Sequence, residues 1–145
     1  MPSTTPGSSA CFFCQQPGGN VLWRDDFCRV VVAGDADHPG ICRVVLNAHI
    51  REMTDLPLAQ RERLMRVVWA VEHALRDALR PHKINLASLG NQVPHLHWHV
   101  IPRFIDDPHF PNPVWGSRTG GRRRPLPLSF QDTLKRALEA NPEEG

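Results

Sequence analysis

The sequence predicts an α+β fold, with a five-stranded antiparallel meander sheet, one long helix and one short helix. Several short runs, such as Val30-Val31-Val32, are β-branched and are bounded by turn residues, as strands are. A long run of apolar residues at helical spacing occurs only before Pro81. Because parallel strands need long crossovers, a chain whose strands outnumber its long connections favours antiparallel pairing.

The five strands are predicted from their composition and from the turns between them. Residues 34–40 are rich in Gly, Asp and Pro and separate the second strand from the third. Gly90-Asn91-Gln92 is a tight turn before the fifth strand. The predicted strands cover residues 21–23, 27–33, 41–46, 83–89 and 95–102.

Two helices complete the prediction. The long helix is expected to begin after a Thr54 or Asp55 cap and to end at Pro81, which cannot continue it. A short amphipathic helix is predicted over residues 129–140, with Ser129 as its cap.

The length of 145 residues predicts one globular domain that needs no disulfide to bury a core. Residues 1–10 are rich in Pro, Ser, Thr and Gly, so we expect a disordered leader there. Residues 11–145 are expected to form a single domain. Its core lies in residues 11–103, and residues 104–145 form an irregular arm and the short helix.

Charge and hydropathy argue against two classes of partner. The net charge of +2 lacks the basic excess of a nucleic-acid-binding domain, and the run Arg122-Arg123-Arg124 is typical of a solvated loop. No apolar run approaches the ~20 residues of a membrane span, and the first ten residues do not resemble a secretion signal. We therefore expect a cytoplasmic protein that acts on neither nucleic acid nor membrane.

The most informative stretch is His95-Leu96-His97-Trp98-His99. In a strand, alternate side chains share a face, so the three imidazoles would line one side and the apolar residues the other. A lone histidine on a strand is usually a hydrogen-bonded core residue, but three in strict alternation need partners. The pattern indicates either a metal site or a nucleophilic imidazole with helper groups, and the stretch alone does not choose between them.

Two nearby features add chemistry. Cys11 and Cys14 form a Cys-x-x-Cys pair, which in a reducing compartment favours metal or redox chemistry over a structural disulfide. The turn before the histidines supplies a Gly90 backbone that a ligand can approach closely, with Asn91 and Gln92 as neutral donors. This combination suits an oxyanion.

These residues resemble the signature of the histidine-triad (HIT) family, and the resemblance spans roughly residues 11–103. The matching positions are Asn85, Gly90-Asn91-Gln92-Val93 and His95-x-His97-x-His99-Val100-Ile101-Pro102-Arg103. The resemblance implies a nucleotide hydrolase or transferase acting on nucleoside phosphates, phosphoramidates or dinucleoside polyphosphates. It also implies a homodimer in which two sheets join.

The resemblance further implies roles for single residues. His97 would attack the α-phosphate of a purine nucleotide and become nucleotidylated, while His99 binds phosphate oxygens. No catalytic metal is required in that chemistry. The substrate-binding residues would be Asn85, Asn91 and Gln92, and a structural zinc would be held by Cys11, Cys14, His49 and His95.

Alternatives remain at this point. The three histidines could together hold a catalytic ion, or the chain could be a non-catalytic nucleotide-binding module. Phosphoramidases of the family often carry a further histidine where this chain has Ile41. We also expect the segment from Phe110 to Trp115 to shape substrate choice.

Overall fold

The computed structural model describes residues 10–140, so the predicted leader, residues 1–10, lies outside the described residues except for Ala10. Five strands and three helices form in the described part of the chain. In chain order these are α1 (Phe12–Gln15), β1 (Asn20–Arg24), β2 (Cys28–Val32), β3 (Cys42–Leu46), α2 (Leu58–Leu79), β4 (Lys83–Ala87), β5 (His97–Arg103) and α3 (Phe130–Ala140).

All strand pairs are antiparallel, which confirms the predicted α+β fold with a five-stranded antiparallel sheet. The strand order is β1-β2-β3-β5-β4, so only the first three strands follow a simple meander. After β3 the chain forms the long helix α2, and β4 then lies two positions away from β3, which leaves one position between them. The last strand, β5, then pairs between β3 and β4, which places it inside the sheet.

The predicted boundaries were wrong at the start of the long helix, at the start of the fifth strand and at the end of the fourth strand, which ends at Ala87 rather than at residue 89. Helix α2 begins at Leu58, directly after Pro57, and no side chain caps it, because Met53–Asp55 form a separate 3-10 turn. The fifth strand begins at His97 rather than His95. The backbone N–H of His95 donates to the carbonyl of Val93 at 2.8 Å, a tight turn that keeps His95 outside the sheet ladder.

The core lies between one face of the sheet and the helices α2 and α3. Val30, Val44 and Val100 are fully buried in this layer, together with Leu64 and Leu134. None of the helices among the described residues is both long and apolar enough to cross a membrane. Because side chains alternate along a strand, the residues next to each of these valines in the sequence point to the opposite face of the sheet, where the histidines lie.

An irregular arm follows β5 up to α3, as predicted, and it is anchored at Asp107. The carboxylate of Asp107 accepts hydrogen bonds from Arg103, at 2.9 Å, and from three backbone N–H groups of the arm. Burial raises the pKa of this carboxyl, but the hydrogen bonds from Arg103 and the backbone outweigh it and hold the pKa well below its usual range. This anchor fixes the segment that carries Trp115 over the sheet.

Candidate active site

Strands β3 and β5 bring the side chain of Arg43 and two imidazoles together on one face of the sheet. Arg43 is paired with His99, and Val45 is paired with His97. Paired residues of antiparallel strands point to the same face. The positions of these side chains are therefore set by strand register.

A cavity of about 390 Å³ opens over these side chains. Asn91 and Gln92 line it from the turn at Gly90, whose φ of 72° is one that glycine adopts readily. Among residues 10–140, no carboxylate lines the cavity, so the guanidinium of Arg43 gives it a positive potential. The prediction that an anion binds beside this turn agrees with the arrangement.

His97 is held in one tautomer by the backbone. Its Nδ1 lies 2.6 Å from the carbonyl oxygen of His95, and since a carbonyl only accepts, Nδ1 carries the proton. The lone pair is therefore on Nε2. Burial lowers the pKa of His97, with a further lowering by the charge of Arg43, so the ring is neutral at pH 7.

His99 lies one pleat further along β5. Its ring centroid is 5.0 Å from that of His97 and 5.0 Å from that of Trp115, both in edge-to-face geometry. Burial lowers the pKa of His99 to about 4, and electrostatic repulsion from a protonated His97 and from Arg43 adds to this effect. Both imidazoles therefore enter any reaction near pH 7 as neutral groups.

A second cluster lies next to Phe13, whose ring contacts both His95 and His97. It consists of two thiols and two imidazoles, whose ligand atoms all lie within 4.8 Å of one another: Cys11, Cys14, His49 and His95. Sγ of Cys11 is 3.3 Å from Nδ1 of His95, and Sγ of Cys14 is 3.2 Å from Nδ1 of His49. Two thiols and two imidazoles are the donor set of a closed tetrahedral metal site, so this cluster could hold a metal ion.

The backbone also orients His95 for this cluster. Its Nε2 lies 2.6 Å from the carbonyl oxygen of Leu46 and so donates to it, which leaves the lone pair on Nδ1, the atom facing the thiols. His97 and His99 are not part of the one group of donors that lies this close together within residues 10–140. This placement disfavours one ion shared by the three histidines of the motif.

Asn85 lies apart from the cavity. It is on β4, opposite Ile101, and its Oδ1 accepts a hydrogen bond from Nη1 of Arg103 at 2.9 Å. It lines a neighbouring depression that shares Trp115 with the histidine cavity. Of the three amides expected to bind substrate, the structure brings Asn91 and Gln92 to the histidines and leaves Asn85 one strand away.

Sequence reasoning missed two residues of the site. Arg43 interrupts the apolar run Ile41-Cys42-Arg43-Val44-Val45. A lone arginine within a predicted apolar strand was the one sequence feature that could have pointed to it. Ser88 donates from Oγ to the carbonyl of His97 at 2.7 Å and braces the start of β5. Nothing in the sequence pattern distinguishes that serine.

Neutral imidazoles lie beside a cation in this cavity, with two side-chain amides at its rim, and such a group of donors can bind an anion such as a phosphate ester. The HIT domain family model matches residues 15–106. The match covers more than half of the chain, and it contains the cavity residues Arg43, Asn91, Gln92, His97 and His99. The chain therefore belongs to the HIT domain family, as its motif predicted.

Two curated relatives named AP-4-A phosphorylase, from two strains of Mycobacterium tuberculosis, are 29% identical over 104 residues, which cover 68% of this chain and 50% of theirs. The chain thus spans about half the length of the curated relatives it matches.

Solved structures of the family share the fold. A histidine triad protein from Marinobacter aquaeolei VT8 aligns with a TM-score of 0.67 and 31% identity, covering 88% of this chain and 90% of that one. A Zn-bound histidine triad family protein from Mycobacterium smegmatis aligns with a TM-score of 0.64 and 22% identity, covering 92% and 96%. The second likeness bears on the fold alone.

Proposed function

We propose that the chain is a nucleotide hydrolase or transferase that attacks the α-phosphate of a nucleoside polyphosphate or phosphoramidate and forms a nucleotidyl-histidine on His97. The observation that carries this proposal is the hydrogen bond from Nδ1 of His97 to the carbonyl of His95, at 2.6 Å. It leaves an unprotonated Nε2 on a neutral ring that lines an anion-binding cavity. A neutral imidazole is a good nucleophile near pH 7.

The proposed reaction has two displacement steps. First, Nε2 of His97 bonds to the α-phosphorus while the bond to the leaving oxygen or nitrogen breaks. The leaving atom keeps the electron pair and, where it is nitrogen, takes up a proton from solvent. Water or another acceptor then attacks phosphorus and gives up its proton to solvent, while the nitrogen–phosphorus bond breaks and its electron pair returns to Nε2. His99 contacts phosphate oxygens, while Asn91 and the turn amides donate hydrogen bonds to the developing charge, each contributing about 3 kcal/mol.

The name of the curated relatives supports a dinucleoside polyphosphate containing adenine as the first substrate to test. Gln92 lies beside Asn91 on the cavity rim, and we propose both as substrate contacts. Asn85 is a candidate contact only for a substrate long enough to pass Trp115 into the neighbouring depression.

We propose zinc as the metal of the cysteine–histidine cluster. The donor set of Cys11, Cys14, His49 and His95 supports this choice, because two thiolates and two imidazoles favour zinc in a closed site. The ion would fix the N-terminal segment against the start of β5. His97 and His99 would then remain free for substrate.

We also propose a homodimer, as the family resemblance implies. Strand β4 is at one edge of the sheet, where a second copy could continue the hydrogen-bonding ladder. Sedimentation of the purified protein tests this proposal.

The cytoplasmic location remains a prediction. Arg123 and Arg124 are engaged with Ala36 and Asp106, which supports the expectation that nucleic acid is not the partner.

The decisive experiment is a turnover screen of adenosine and guanosine polyphosphates and phosphoramidates, with wild type beside His97→Ala. We expect His97→Ala to lose about 10⁴-fold or more in kcat because the nucleophile is gone. Intact-mass analysis should detect an acid-labile nucleotidyl adduct on the wild type alone. The exposed His73, replaced by Ala, is the matched control. Full turnover by His97→Ala would refute the proposal, and nucleotide binding without turnover would favour a binding module.

A further inference from the structure

Three arginines, Arg29, Arg43 and Arg103, lie on the same face of the sheet as the cavity histidines. In two of them, Arg29 and Arg103, every guanidinium nitrogen donates a hydrogen bond within the protein. The guanidinium of Arg29 donates to the carbonyl oxygens of Pro17, Phe13 and Gln16 and to Oδ1 of Asn47. That of Arg103 donates to the carboxylate of Asp107, to Oδ1 of Asn85 and to the carbonyl of Asn112.

Arg43 differs from both. Its Nη1 donates to the carbonyl of Gly18, and its Nε is buried without a hydrogen-bond partner among the described residues. Within residues 10–140 no carboxylate forms a salt bridge with it, and Asp35 attracts it only from a longer distance. A buried guanidinium is costly when its donors are unpaired. Nε is closed off from solvent, but Nη2 is not among the buried atoms and has no hydrogen-bond partner among the described residues, so it is the donor that an anion can reach.

The guanidinium is also fixed in place. Its carbon lies 5.8 Å from the centroid of the Phe13 ring, and the Gly18 carbonyl holds one end of the fork. The side chain lines the histidine cavity, in which it is the sole charged group among the described residues. A rigid fork of this kind matches the geometry of phosphate oxygens.

We propose that Arg43 is a substrate-binding residue that holds phosphate oxygens beyond the α-phosphate and so favours polyphosphates over phosphoramidates. The proposal rests on the proposed function, in which His97 meets the α-phosphorus. Arg43 is paired with His99, one pleat beyond His97. A phosphate chain that starts at His97 therefore reaches the guanidinium with its next phosphates. A phosphoramidate has no such phosphates and makes less use of this cation.

Calorimetric binding of adenosine, AMP, ADP and ATP tests the proposal without requiring turnover. In the wild type, affinity should rise about 10- to 100-fold from AMP to ATP, the size expected of a charge-assisted contact. Arg43→Gln should remove most of this rise and leave AMP affinity within about threefold. Arg43→Lys should keep part of it, because the charge remains without the fork.

Arg66→Gln is the matched control, because it removes one positive charge from an exposed position on α2. It should bind all four probes like the wild type. Thermal unfolding of each variant checks the fold, and Arg43→Lys carries the test if Arg43→Gln does not fold. A wild-type affinity that does not rise with phosphate number, or an equal loss for AMP and ATP in both Arg43 variants, would overturn the assignment.

Turnover separates this proposal from the one on which it rests. We expect Arg43→Gln to lower kcat/KM for a dinucleoside polyphosphate about 100-fold and for an adenosine phosphoramidate less than tenfold. Equal losses on both substrates would contradict the assignment. If the wild type turns over neither substrate and forms no adduct, yet phosphate-dependent binding disappears in Arg43→Gln, the proposed reaction fails and the role of Arg43 stands.

Discussion

His95 and His97 are two residues apart, yet the backbone prepares them for different chemistry. Nε2 of His95 donates to the Leu46 carbonyl and leaves Nδ1 facing two thiols. Nδ1 of His97 donates to the His95 carbonyl and leaves Nε2 unprotonated beside an open cavity. The two rings are thus held in opposite tautomers by two carbonyl groups.

Residue type alone therefore does not decide the role of a histidine in this protein. The carbonyl partner selects which nitrogen carries the lone pair, and the surroundings of that nitrogen select what it can bind. One site is closed by thiols and the other is open to a ligand. We therefore expect changes in the first site to alter stability and changes in the second to alter activity.

The largest effect on stability is expected when the cysteine–histidine cluster loses its thiols. Changing both Cys11 and Cys14 to Ser should lower the free energy of unfolding by about 4 kcal/mol, the contribution of an ion present at a thousand times its dissociation constant. For a domain of this size the loss corresponds to roughly 10 °C in Tm. Differential scanning calorimetry with and without added zinc measures it.

Zinc should raise the Tm of the wild type and leave that of the double variant unchanged. His49→Ala should behave like the double variant, and His73→Ala, on an exposed part of α2, should retain the response to zinc. Below the Tm of the variant, its turnover per folded molecule should stay within about tenfold of wild type. A loss of turnover as large as that of His97→Ala would contradict the expectation that the first site affects stability and the second affects activity.

Phe13 is the residue that touches both sites. Its ring centroid lies 5.8 Å from that of His95 and 4.6 Å from that of His97, and the side chain is 4% exposed. Phe13→Leu should cost about 1 kcal/mol of stability, as a near-conservative core change does, and reduce kcat several-fold because the His97 ring is less constrained. The neighbouring Phe12 is 48% exposed, and Phe12→Leu is the control for both measurements. A change in stability without any change in kcat would argue that Phe13 serves the closed cluster alone.

Much of the fold could be predicted because its signals are local. The β-branched run at Val30-Val31-Val32 and the apolar period before Pro81 each report on their own segment. The insertion of β5 between β3 and β4 could not be predicted in the same way, since it depends on which strands meet after α2 has crossed the sheet. The start of β5 was missed because the turn at Val93 uses a backbone hydrogen bond that no side-chain pattern records.

The residues of the site also differ in whether local sequence or strand arrangement determines their position. The positions of His97 and His99 were predicted from the motif, and the four cluster residues were predicted from the family resemblance. Arg43 becomes visible only when strand register places it opposite His99. Asn85 matched the motif, but Arg103 occupies its side-chain oxygen, a contact between neighbouring strands β4 and β5 that spacing alone does not reveal.

Acid should weaken the fold through the cavity histidines. Burial holds the pKa of His99 at about 4, against an ordinary value of 6.5. Between these values the unfolded chain binds a proton that the folded chain does not, so stability falls as the pH is lowered through this window. His99→Gln should reduce the slope of the unfolding free energy against pH by the equivalent of about one proton. Urea unfolding at pH 4.5 to 7.5 measures this slope. His73→Gln is the control, and an unchanged slope in His99→Gln would contradict the burial of this ring as a neutral group.

The smallest expected effect is at Trp115, where the cavity meets the arm. Its ring is 5.0 Å from that of His99 and the side chain is 54% exposed, so an aromatic base can stack on it. Trp115→Ala should raise KM about three- to tenfold, the value of one aromatic contact, with kcat within about twofold and Tm unchanged. Trp69 is a similarly exposed tryptophan on α2, and Trp69→Ala should leave KM as in the wild type. If Trp115→Ala lowers kcat with KM unchanged, the ring orients His99 rather than the substrate, and the open site then depends on its arm for chemistry as well as for binding.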